Sequence, residues 1–89
     1  MPYIPKSHRP QYEEHLKQLA DIVPDDRGIR PGHMNYIITS LLRRVYGDKM
    51  RYADHNEVMG VLSAVSQEFY RRWTAPYEDE KIAAEGDVR

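Results

Sequence analysis

Eighty-nine residues and 10.5 kDa leave room for one domain and disfavour a two-lobed enzyme with a cleft between domains. Apolar residues at 40% and charged residues at 30% argue against global disorder, and thirteen Lys plus Arg against fourteen Asp plus Glu lack the basic excess of a general nucleic-acid or membrane-surface binder. The absence of cysteine excludes disulfides, thiolate zinc sites and thiol nucleophiles, no apolar run nears the roughly 18 residues of a membrane span, and Met1-Pro2-Tyr3-Ile4-Pro5 lacks the apolar core of a secretory signal, so the expected location is the cytoplasm.

The pattern predicts an all-α fold: one small three-helix domain over residues 1–89, with an extended N-terminal arm and a short C-terminal helix or tail. Pro2, Pro5 and Pro10 make residues 1–9 a stiff arm. From Pro10, the residues Tyr12, Leu16, Leu19, Ala20 and Val23 recur at helical spacing, which predicts a helix over 10–23. Pro24-Asp25-Asp26-Arg27-Gly28 and Arg30-Pro31-Gly32 then mark a loop. A second helix over 33–46 carries the clearest period, with Met34, Ile37, Ile38, Leu41, Leu42 and Val45 on one face and Gly47 as its C-terminal cap. Asp54 is expected to cap a third helix over 54–75, with Glu57 completing a variant capping box and Val58, Val61, Leu62, Val65 and Phe69 along its stripe. Pro76 forbids simple continuation, and Glu78, Asp79 and Glu80 behind it read as a fresh helix start within the 76–89 tail, where Gly86 would stop it.

Two of these helices carry broad apolar faces and the first offers only a modest partner for them, so self-association into a homo-oligomer is expected. Seven tyrosines and one tryptophan against one phenylalanine give the aromatic set a polar handle, a composition common at interfaces and ligand pockets; the alternative is that the tyrosines rim an ordinary small core.

Candidate binding residues cluster by chemistry. On a helical wheel Arg72 falls inside the apolar arc of the third helix, where it either pairs with Glu68 one turn earlier or enters a partly desolvated pocket and holds a carboxylate or phosphate. Arg71 points off that stripe, and Tyr70 and Tyr77 stand near enough to stack. Asn35 and Thr39 form a polar edge on the second helix, and Asn56 adds a donor and acceptor on the third. Residues 27–72 hold eight basic and four acidic side chains, leaving both termini acidic. Catalysis has little support: no two histidines show metal-site spacing, phosphate-loop, dinucleotide and nucleophile-elbow motifs are absent, and no serine has an evident base. No enzyme activity, metal or cofactor is expected.

Three blocks carry a family resemblance: Met1-Pro2-Tyr3-Ile4-Pro5 with Arg9 and Tyr12; Asn35-Tyr36-Ile37-Ile38-Thr39; and the stretch from Tyr52, Asn56 and Gly60 through Glu68-Phe69-Tyr70-Arg71-Arg72, Ala75-Pro76-Tyr77-Glu78-Asp79, Lys81-Ile82 and Gly86-Asp87-Val88. Together they resemble a family of small uncharacterised proteins of phages and prokaryotes. The resemblance implies a compact helical protein of phage or mobile-element origin that interferes with a host pathway. The expected function is therefore a non-catalytic homo-oligomer that sequesters an anionic small molecule, such as a nucleotide signal, at subunit interfaces. Its ligand residues would be Asn35, Thr39, Asn56, Tyr70, Arg71, Arg72 and Tyr77. The alternatives are a module that binds and inhibits or scaffolds a host or viral protein and, third, a nucleic-acid binder, which the near-neutral charge disfavours; no membrane partner is expected.

Overall fold

The computed structural model describes residues 3–88, and among them the fold is all-α, without strands. Its elements are a 3₁₀ turn at Lys6–His8, helix α1 (Pro10–Ile22), α2 (Arg30–Tyr46), α3 (Tyr52–Phe69), a π turn at Tyr70–Thr74, and α4 (Ala75–Glu85). The chain divides into two compact units, Met1–Lys49 and Met50–Arg89. No helix among the described residues is long and apolar enough to cross a membrane.

In the first unit the arm is less extended than its prolines predict, and its first two residues, Met1 and Pro2, lie outside the described residues. The fixed φ of Pro5 suits a turn as well as an extended strand, and the His8 N–H donates to the Pro5 carbonyl at 2.9 Å. The Arg9 guanidinium closes the arm onto the start of α1 by donating to the Ile4 carbonyl at 3.2–3.3 Å. Helix α2 begins at Arg30, three residues before its expected start. Asp26 organises that entry: its carboxylate accepts the Gly28 N–H at 2.7 Å, and its carbonyl accepts the Arg30 N–H at 2.8 Å. Pro31 then falls in the first turn, where no donor is missed. At the far end Gly47 adopts φ 77° and ψ −172°, a region nearly closed to residues with a Cβ, and Arg43 caps the helix through the Gly47 carbonyl and Asp48.

In the second unit α3 begins at Tyr52, and Asp54 caps it from inside the first turn, not from the expected cap position. Its carboxylate accepts the Arg51 N–H at 2.9 Å; Glu57 is not part of that cap. The expected break at Pro76 does not occur. The helix instead widens to a π turn over Tyr70–Thr74, closed by the Ala75 N–H on the Tyr70 carbonyl, and runs on into α4. This absorbs the proline, which has no N–H to give and whose ring would collide with the carbonyl of an unwidened turn.

None of the described residues is buried. Leu41, Val45, Val65 and Phe69, all placed on apolar stripes by the sequence pattern, are each more than half exposed. The accessible surface is 8351 Å², whereas two independent globules of half this mass would expose about 6500 Å². The surplus of roughly 1800 Å² exceeds the ~800 Å² that one partner contributes to a standard interface.

The Gly47 backbone yields a direct check. Gly47→Ala is expected to destabilise the protein by about 1–2 kcal/mol, read as a lower thermal midpoint by circular dichroism at fixed protein concentration; an unchanged midpoint contradicts the cap assignment.

Candidate functional site

The side chains with the richest chemistry gather along the α3–π–α4 segment. Glu68, on the last turn of α3, receives both neighbouring arginines: Arg71 Nη2 lies 3.1 Å from Oε2, and Arg72 Nη1 lies 3.5 Å from Oε1. The divergence of Arg71 from Arg72 expected on a regular helix therefore does not separate their charged ends. Residues three and four positions beyond a glutamate both reach it, so two cations share one anion. Both arginine side chains remain more than half exposed, which limits each pair to about 0–1 kcal/mol.

Arg72 also lies over the indole of Trp73, 5.4 Å from the ring centroid, and Trp73 stands 5.2 Å from Phe69 at an interplanar angle of 41°. This gives an exposed aromatic step with a cation on its edge, worth about 0.5–1 kcal/mol for the cation–π contact in such a setting. Phe69 and Trp73 are four apart, the spacing that stacks side chains on one helix face.

Tyr70 turns to another partner. Its hydroxyl donates to Glu78 Oε1 in a short hydrogen bond. That contact raises the phenol above the ordinary tyrosine value of 10.0; the Glu78 charge, partial desolvation and the Asp79 charge push the same way. At 100° per residue the two positions fall about 80° apart around a regular helix, so spacing alone gives no hint of the pair. The π turn is what aligns them. Tyr77, on α4, carries the Lys81 ammonium over its ring at 5.8 Å.

A shallow groove of about 480 Å³ opens on the same segment, floored by Ile82 and Ala75 and rimmed by Glu78, Asp79, Glu85 and Asp87, with Lys81 as the cation in its wall. Acidic side chains outnumber the single ammonium along this rim.

The remaining candidates stand elsewhere. Asn35 and Thr39 belong to the first unit, where the Thr39 hydroxyl donates to Asn35 Oδ1 at 3.1 Å, so each partly satisfies the other. Asn56 lies on α3 about four turns before the arginines, on the wheel face away from the apolar stripe. Sequence reasoning missed Glu78 as a tyrosine partner, reading it only as part of an acidic helix start. Among the described residues, no group of three or more His, Asp or Glu is placed to hold a metal ion.

A family model matches residues 1–88, the whole stretch that holds these side chains. The chain belongs to the family of the domain of unknown function DUF6899. No curated protein and no solved structure matches it. The DUF6899 match thus covers both units and every candidate residue, and it carries no assigned activity.

The Tyr70–Glu78 contact has a defined pH signature. Raising the folded-state value stabilises the protein fully below the unfolded tyrosine value, and that contribution is lost as pH rises through the folded value. Ultraviolet titration should show a phenol that ionises at higher pH in the wild type than in Glu78→Gln; identical titration curves for the two proteins would remove the contact.

Proposed function

We propose that the chain is a non-catalytic binding protein that works as a homo-oligomer in the cytoplasm. Its sites form where copies meet and sequester an anionic small molecule, such as a nucleotide signal. The observation that carries this reading is that Phe69 and Trp73 are each more than half exposed, with Arg72 over the Trp73 ring and Arg71 sharing Glu68 with it. Copies that joined through those faces would desolvate the arginines, and a planar guanidinium beside an indole suits a phosphate attached to a flat base. Tyr70 and Tyr77 would bound such a base, with Asn35, Thr39 and Asn56 as directional hydrogen-bonding groups. In the phage setting that the family resemblance implies, removal of a signalling nucleotide would blunt a host response.

A second reading rests on the same step. An exposed Phe69–Trp73 pair edged by Arg72 has the composition of a protein-binding hot spot, so the surface would bind and inhibit or scaffold another protein.

Two measurements test the proposal. Light scattering should report a multiple of 10.5 kDa, with a thermal midpoint that rises with protein concentration. Heating with a panel of linear and cyclic nucleotides should raise the midpoint for at least one, by about 2.7 kcal/mol of added stability at a hundredfold excess over Kd, and Arg72→Ala should abolish the gain. No shift at millimolar nucleotide, together with a stoichiometric protein partner in a pulldown, would favour the second reading.

A further inference from the structure

We propose that the acidic groove of α4 is the seat for helix α2 of a second copy of the chain, so that copies join head to tail. This rests on the homo-oligomeric reading above and specifies which faces meet. The groove offers an apolar floor at Ile82, itself 43% exposed, between the carboxylates of Glu78 and Glu85 on one side and Asp79 on the other. On the helical wheel Ile82 sits between those side chains, so a docking helix would meet a hydrophobic line flanked by negative charge.

Helix α2 carries the complementary surface. Of the four helices only α2 contains no Asp or Glu; it holds Arg30, Arg43 and Arg44. By contrast α1 carries Glu13, Glu14 and Asp21, and α3 carries Asp54, Glu57 and Glu68. Along α2 the exposed Met34, Leu41 and Val45 form an apolar ridge, 69% exposed at Val45, with Arg30 and Arg44 on its margin. Arg30 is paired with Asp25 and Arg43 with Asp48, but Arg44 donates through Nε to the neutral Ser40 hydroxyl at 3.3 Å, so Arg44 is the cation that α2 offers to a partner's carboxylates.

Arg44 on the margin of the ridge and the carboxylates of the groove are complementary in sign, and each face presents exposed apolar side chains. A second copy is the occupant that the observations favour: each copy brings one basic ridge and one acidic groove in equal number. The surplus accessible surface also exceeds what a standard interface requires of each partner. Because the two faces differ, the contact is heterologous, and repeating it closes a ring or extends a filament.

The test uses light scattering and far-ultraviolet circular dichroism on the full chain at equal concentration. Wild type should be an oligomer that weakens as salt rises, since its rim contacts are ionic. Arg44→Glu alone and Asp79→Lys alone should each weaken association at least about tenfold, because each brings like charges together. Mixing the two single variants should restore association and helicity, since each contact between unlike copies then pairs opposite charges; full mass returns where the copies alternate, in a filament or an even-numbered ring, and this holds even where a lone variant loses helicity. Oligomers that survive both single substitutions overturn the α2-to-α4 contact and leave the homo-oligomeric reading standing. Loss in the single variants without recovery on mixing overturns that pairing too. A monomeric wild type overturns both.

Discussion

Burial of apolar surface is the term that ordinarily offsets the conformational entropy of ordering a chain, and in this protein that term is weak: among the described residues no side chain is fully buried, and Ile37, Leu42, Val58 and Leu62 are only half-buried. The helices satisfy their own backbone hydrogen bonds, and Lys17–Asp21, Arg43–Asp48 and Glu68 with its two arginines add ion pairs along their surfaces. Exposed pairs of this kind contribute about 0–1 kcal/mol each, against about 1–2 kcal/mol of backbone entropy for every ordered residue. Local interactions of this size do not hold 17- and 18-residue helices in place in water. The apolar ridges of α2 and α3 therefore carry meaning beyond amphipathicity: they are the part of a core that one copy does not complete.

The π turn links this constraint to the candidate site. A helix meeting Pro76 has two ways out, to stop or to widen, and widening keeps α3 and α4 in one run of helix from Tyr52 to Glu85. The same widening brings the Tyr70 hydroxyl to Glu78, on the next stretch of helix. Such turns recur at functional positions, and here the turn holds Tyr70, Arg71 and Arg72 together with Trp73.

Charge is distributed with equal economy. In the second unit Arg71 and Arg72 gather on Glu68, while Glu78, Asp79 and Glu85 line the groove of the following helix, so two cations and a set of carboxylates stand apart along one segment. The first unit adds a helix with cations and no carboxylates. An overall charge of −1 conceals this separation, which is why composition alone argues against nucleic-acid binding yet says little about where anions or other copies would bind.

The all-α fold was legible because apolar residues at three- and four-residue spacing dictate a helix whether or not the face they form is covered. The same pattern carried α1 and the body of α2 and α3, and it foresaw the pairing of Glu68 with Arg72, since that is a contact within one turn. It misplaced the start of α2, where the backbone and carboxylate of Asp26 begin the helix before the apolar period does, and the cap of α3, where Asp54 acts from inside the helix. Sequence periodicity assumes a constant turn, so it read Pro76 as a break and gave no sign of the Tyr70–Glu78 contact. Chain order by itself determined which residues are helical and which faces are apolar or charged, because those depend on neighbours within a few positions. Only the three-dimensional structure decided that no described side chain is fully buried and that one carboxylate gathers two arginines, because both depend on where turns widen and which surfaces the chain leaves uncovered.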